Sequence, residues 1–249
     1  VSTFADAWKA AWDTETTGID PANDRIVTAA FIVRAPGMDD RSFTYLINPG
    51  VPIPPATTEV HGITDAKAQA EGSDPKATLE EIAGHLAAAI SRGMPVVAFN
   101  QSFDWSILHY ELQRHGLPTM AELVGPGPLP LVDPHVIDKE FYRGVRGSGQ
   151  RKLKPTADRY GVALNDWHEA KADALAALLI AEAQFARYPQ LDRYEPQELF
   201  AAQQKWRADQ QAGLQKWFRT KATPEQGGDP NKTIDGSWPL IPAQRSETS

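Results

Sequence analysis

The chain has 249 residues, of which 41% are hydrophobic and 23% charged, an ordinary balance for a soluble globular protein with one large domain or one domain plus an extension. A net charge of −7 argues against a broad electrostatic coat for nucleic acid, but not against a hydrolase whose own acids are offset by bound cations. The lack of cysteine excludes disulfides and thiolate-bound zinc and fits a reducing compartment. No apolar run approaches a membrane span, and the first residues, VSTFADAWKAAW, carry no basic region followed by an apolar core. A cytoplasmic protein without signal peptide or membrane contact is therefore expected. From Glu195 onward seven basic and seven acidic residues cancel, so the acidic excess lies in residues 1–194.

KAAWD reads as a short first strand, followed by strands over 25–34 and 41–48, with a turn at Pro36 and Gly37 between them. These three make an antiparallel meander. The stretch NPGVPIPPATTEVHGIT is turn-rich and holds a short helix at most. Residues 74–93 predict a helix, with Pro75 early, Gly93 closing it, and Leu79, Ile82, Leu86 and Ile90 at helical spacing. MPVVAFN, residues 94–100, is apolar without alternation and predicts a buried strand. A helix capped at Ser102 runs to Gly116, a fifth strand covers 128–133, and helical segments surround 134–142 and 152–160. DWHEAKADALAALLIAEAQFARY, residues 166–188, predicts a long alanine-rich helix. Meander followed by strand–helix alternation implies an α/β protein with a mixed five-stranded sheet flanked by helices, in a domain spanning 1–190. Residues 191–249 form a separate stretch: a polar helix over 195–220 with a stripe of Leu199, Phe200, Trp206, Leu214, Trp217 and Phe218, then an extended tail. That stretch either folds back on the first domain or presents a surface to a protein partner.

Three segments concentrate acids. In AAWDTETTGID, Asp13 and Glu15 alternate along one strand and so point to the same side, where two like charges repel unless something positive lies against them. In VVAFNQSFDWSIL, Asp104 lies in the first turn of a helix that directly follows a buried strand, with Asn100 at the strand end. In HEAKADA, His168 and Asp173 are five residues apart, which is not one helical face, so His168 belongs before the helix or in its first turn. Each has a plain structural reading: a solvated strand end, an acid favouring a helix N-terminus, a surface acid. Together, acids at the end of a first strand and at two helix starts are what a carboxylate cage for metal would use.

The set WDTETTG, FNQSFD and HEAKADA resembles the three motifs of the DnaQ-like, or DEDDh, family of 3′→5′ exonucleases, which includes the proofreading epsilon subunit of bacterial DNA polymerase III. Asn48-Pro49-Gly50 and His61-Gly62-Ile63-Thr64 resemble the family's segment beside the substrate terminus. The resemblance covers residues 8 to about 185 and implies a ribonuclease H-like fold. It implies that Asp13, Glu15, Asp104 and Asp173 hold two divalent cations, Mg²⁺ or Mn²⁺, and that His168 is the general base. The chemistry agrees: hard cations prefer carboxylate and water oxygen, and a neutral imidazole, with an ordinary pKa of about 6.5, takes a proton near neutrality. Thr14 would point away from the metals. The resemblance also places Thr16 near the terminal 3′-OH, with His61 and Phe103 as candidates for the terminal bases or sugar. Phe103 reads equally as a core residue under its helix. Asn100 and Lys152 complete the substrate set. The run RGVRGSGQRKLK, residues 143–154, holds five basic residues and no acid, and reads as a phosphate contact or as a solvated loop.

The expected activity is release of nucleoside monophosphates from a nucleic-acid 3′ end, with single-stranded DNA favoured by the wording TETTG. The alternatives are a ribonuclease resembling RNase T, a ribonuclease for short oligonucleotides, or an inactive nucleic-acid-binding or assembly module. The last predicts loss of an acid or of the histidine, and all five positions are filled. A zinc hydrolase would need clustered His and Cys ligands that the chain lacks.

Overall fold

The computed structural model describes residues 3–163 and 169–243. Strands β1 (Lys9–Thr16), β2 (Ile26–Arg34) and β3 (Arg41–Leu46) form the expected antiparallel meander. Strands β4 (Val96–Val97) and β5 (Leu131–Val132) add to the free side of β1 in parallel, which gives the order β3-β2-β1-β4-β5. Both parallel strands pair over fewer residues than their apolar runs suggested. Beyond Val97 and Val132 the chain leaves the ladder, and the residues released there enter the functional site.

Alternation along β1 sends its side chains into two cores. Ala10 and Trp12 face a core shared with helices α3 (Pro75–Ser91) and α4 (Ser102–Arg114). Ala11 faces the opposite core, shared with α6 (Pro134–Phe141) and α8 (Ala170–Arg187). The segment after β3 is more ordered than its turn-rich composition implied. It forms α1 (Pro55–His61), ended by left-handed Gly62, and α2 (Asp65–Glu71), whose first turn is capped by the Thr64 hydroxyl accepting from Lys67 N–H. A further short helix, α5 (Met120–Val124), rests on a reciprocal Thr119–Glu122 capping box. α7 (Leu153–Tyr160) lies where a helix was predicted.

The helix α9 (Pro196–Thr220) packs back on the sheet: Leu199 and Phe200 enter the two cores, and Trp238 of the following tail joins Phe200. The side-chain amide of Gln203, fully buried, completes the edge strand β5. Its Nε2 donates to the Leu131 carbonyl at 2.8 Å, and its Oε1 accepts from Asp133 N–H at 2.7 Å. One side chain thus satisfies an edge donor and an edge acceptor that would otherwise be buried unpaired. Further along α9, Leu214 and Trp217 stay exposed. Among the described residues no helix is long and apolar enough to cross a membrane.

Candidate active site

The site lies at the carboxyl ends of β1 and β4, where open α/β sheets bind ligands. Asp13 and Glu15 project from β1 toward α8, and Asp173 meets them from the first turn of that helix. Carboxylate oxygens of these three residues lie within 4.8 Å of one another. The register of β1 against β2 shifts between Glu15 and Thr16, a bulge that ends the pairing beside the acids. The chain then turns tightly. Thr16 Oγ1 donates to the Gly18 carbonyl at 2.6 Å, and the Asp24 carboxylate accepts from Thr17 Oγ1 and from Asp20 N–H. A β-carbon on Gly18 would stand 2.5 Å from Asp24 Oδ2, so any larger residue requires the Asp24 side chain to shift.

Asp104 stands outside the trio. It is buried on the α4 side of the sheet, where its Oδ1 accepts from Thr14 N–H at 3.0 Å and from Thr14 Oγ1 at 2.7 Å. Thr14 does point away from the other three acids, and it does so to hold the fourth. The local electrostatics are unfavourable to four bare carboxylates. Burial, then the charges of Asp104, Asp173 and Glu15, push Asp13 well above the usual carboxylate range. Burial, then Asp173 and Asp104, raise Glu15 to about 8. Asp104 rises to about 7 through burial, against the lowering effect of the Thr14 hydrogen bonds. An all-oxygen donor set of like-charged, half-buried acids fits a hard divalent cation, the partner that removes this penalty.

Two clefts meet at Glu15. One, of about 390 Å³, is lined by Asp13, Glu15 and Asp173 together with Asn100, His135, Arg151 and Lys152. The other, of about 570 Å³, runs from Glu15 past His61, Gly62 and Lys67 to Lys171. His61 is buried, its Nδ1 accepts from Ile63 N–H, and burial lowers its pKa. Asn100 and Lys152 are thus brought to the acids on one side and His61 on the other. Phe103 lies half-buried, packed against the α3–α4 core. The Thr16 hydroxyl is spent on the turn. His168 lies outside the described residues.

Two residues of the site were not singled out from the sequence. Asp133, buried at 1% exposure, accepts from the backbone N–H groups of Asn100, Gln101, His135 and Val136. It, and not Ser102, satisfies the strand-to-helix junction before α4. Burial raises its pKa, opposed by Arg207 and by the hydrogen bond from Trp238. The pair Asp133-Pro134 is a helix-start signature that could have flagged it. His135 lines the first cleft against the Phe99 ring, and burial together with Lys139, Arg207 and Arg151 pushes its pKa well down. The basic run 143–154 is partly structural. Arg151 donates to the buried Asp138 carboxylate at 2.5 Å and to the Tyr142 carbonyl, and Arg143 pairs with Glu140. Arg151 and the exposed Lys152 are the basic members of the run that line the cleft beside the acids.

The comparisons agree with this geometry. The RNase T family of exonucleases matches residues 11–181. Over 166 residues the chain is 30% identical to the PolC-type DNA polymerase III of Streptococcus thermophilus, covering 66% of this chain and 10% of that protein. The enzyme of the same name from Streptococcus agalactiae is 31% identical over 166 residues with the same coverage. The chain spans about 10% of the length of these curated relatives. Among solved structures, E. coli exonuclease I in complex with a dA16 oligonucleotide superposes with a TM-score of 0.63 at 20% identity, over 76% of this chain and 42% of that one. Exonuclease X in complex with 5′ overhanging duplex DNA gives 0.55 at 18% identity, over 78% and 98%. These likenesses establish the shared ribonuclease H-like fold. The chain belongs to the RNase T, or DnaQ-like, family of 3′→5′ exonuclease enzymes.

Proposed function

We propose that this chain shortens single-stranded DNA from its 3′ end, releasing nucleoside monophosphates with the help of two divalent cations, Mg²⁺ or Mn²⁺. The observation that carries the reading is the convergence of Asp13, Glu15 and Asp173 within 4.8 Å, at the junction of two clefts, with Asp104 close behind. The names of the relatives, a DNA polymerase and exonucleases seen with DNA, favour DNA over RNA. In this reading Asp13, Glu15, Asp104 and Asp173 hold the cations, which supply Lewis acidity to the attacking and leaving oxygens. His168 takes the proton of the attacking water. Water adds to the terminal phosphorus, the bond to the 3′ oxygen of the preceding nucleotide breaks, and that oxygen leaves, takes a proton from solvent and becomes the new 3′ hydroxyl. His61 and the backbone at Thr16 border the terminal nucleotide on one side of Glu15. Asn100 and Lys152 border the other, where the lysine meets a phosphate.

The test is hydrolysis of 5′-labelled single-stranded DNA and matched RNA with Mg²⁺, Mn²⁺ or chelator, beside Asp13→Ala and His168→Ala. A ladder growing from the 3′ end, metal-dependent and abolished by Asp13→Ala, is expected. Faster loss of RNA than DNA would reassign the substrate to the RNase T-like alternative. No cleavage of either by folded, metal-binding protein would overturn the reading.

A further inference from the structure

Asn100 is the one non-glycine residue with a positive φ (61°) among the described residues, and it lines the cleft beside the acids. Such a conformation is disfavoured and persists only where its surroundings over-determine it. Here the determinant is Asp133, whose Oδ1 accepts from Asn100 N–H and whose Oδ2 accepts from Gln101 N–H, each at 3.0 Å. Asp133 is in turn held from the C-terminal segment. Trp238 Nε1 donates to its Oδ2 at 3.1 Å, and Gln203 Oε1 accepts from its backbone N–H. The same tail also grips the helix that carries Asp104. Ile241 N–H donates to Ser106 Oγ at 2.8 Å, and the Tyr110 hydroxyl donates to the Ile241 carbonyl at 2.8 Å. The polar groups of Gln203, Trp238 and Ile241, 70 to 135 residues away in sequence, therefore end on the two stretches that place Asn100 and Asp104.

We propose that the C-terminal segment is a positioning device for the carboxylate site, with Trp238 and Tyr110 as positioning residues that act through Asp133 and α4. The proposal rests on the exonuclease reading and deepens it. The Trp238 indole donates to Asp133, and its effect on the four acids of the site passes through the Asp133–Asn100 junction. Its apolar neighbour Phe200, ring centroid 5.2 Å away, shares its packing but makes no hydrogen bond to Asp133. That difference separates positioning from general packing.

The experiment compares the full chain with Trp238→Phe, Tyr110→Phe and Phe200→Leu. It measures thermal midpoint, kcat and KM on 5′-labelled single-stranded DNA, and binding of MnCl2 by calorimetry. Trp238→Phe is expected to lower kcat about 10-fold and weaken Mn²⁺ several-fold with KM nearly unchanged, as small misplacements in a reacting site do. Phe200→Leu is expected to lower the midpoint comparably while leaving kcat and Mn²⁺ affinity within about 2-fold of wild type, since packing lost away from a site acts on global stability. Wild-type kcat and Mn²⁺ affinity in folded Trp238→Phe would overturn the proposal, as would an equal loss in Phe200→Leu. If Trp238→Phe fails to fold, Tyr110→Phe decides: about 3-fold weaker Mn²⁺ supports positioning, and an unchanged value overturns it. Absence of Asp13-dependent cleavage and Mn²⁺ binding in the wild type would instead sink the exonuclease reading itself.

Discussion

Thr14 sits between Asp13 and Glu15 and serves the acid on the other side of the sheet. Its N–H and hydroxyl both end on Asp104 Oδ1, so a strand residue facing away from the trio fixes the fourth carboxylate. Thr14→Val keeps the strand and the N–H bond but removes the hydroxyl. The expected result is a stability loss of about 1 kcal/mol in urea denaturation and a fall in kcat of about 10-fold, because a buried acceptor loses one of its donors and gains freedom to move. Gly18 is set by a different constraint at the same turn. Alanine there places its methyl against Asp24, which already holds Thr17 and Asp20. Gly18→Ala is expected to destabilise by about 1–3 kcal/mol. Thermal unfolding checks this, and a wild-type midpoint would show that Asp24 moves aside without consequence.

At the scale of elements, the sheet solves its exposed edge with a side chain. β5 pairs with β4 over only Leu131 and Val132, and beyond it Gln203 from α9 takes the place of a sixth strand. Gln203→Leu leaves the Leu131 carbonyl and the Asp133 N–H buried without partners. Each orphan costs about 1–3 kcal/mol, so a total loss of about 2–6 kcal/mol is expected in a chemical denaturation curve. Gln203→Ala with an unchanged midpoint would mean that water enters and replaces the amide. Periodicity announced α9 and its stripe, with Leu199, Phe200, Trp206, Leu214, Trp217 and Phe218 as its apolar positions. It could not announce that a polar residue one turn on from Leu199, Gln203, would be fully buried, because burial of an amide depends on which edge lies opposite.

For the whole molecule, folding brings acids together that repel one another, and the consequence is a definite pH dependence. Glu15 is raised to about 8 and Asp104 to about 7, so in the absence of metal the folded state holds protons that the unfolded chain has already released. The stability these groups contribute is fully present below their ordinary pKa values. It is lost as pH rises through about 7 to 8. In chelator, Glu15→Gln is therefore expected to match wild type near pH 5 and to exceed it at pH 8.5 by about 2 kcal/mol, a figure discounted for the half-exposure of the site. Saturating Mg²⁺ at pH 8.5 should raise the wild-type midpoint and raise that of Glu15→Gln less, because binding to the folded state alone stabilises it. Equal midpoints of the two proteins at pH 8.5 in chelator would contradict the crowding of charge inferred here.

What the amino-acid sequence determined by itself was local or periodic. Alternation put Asp13 and Glu15 on one face, apolar spacing marked the helices, and the DnaQ-like motifs placed four acids at one strand end and two helix starts. Physical reasons confined it there. Short-range pattern sets which face a residue occupies but not what lies across from it. Asp133 and His135 were missed because an Asp-Pro at a helix start looks the same whether it faces water or caps a catalytic junction. Phe103 and the basic run 143–154 were ambiguous for the same reason: an aromatic in a first helical turn fits core or substrate equally, and a basic run fits a phosphate contact or a solvated loop. Only the tertiary structure showed that Phe103 packs half-buried against the α3–α4 core, that Arg151 pairs with buried Asp138, and that Asp104 is held by Thr14 apart from the other three acids. It alone tied the C-terminal tail to the site through Asp133, because a hydrogen bond between residues 105 apart leaves no period in the chain to read.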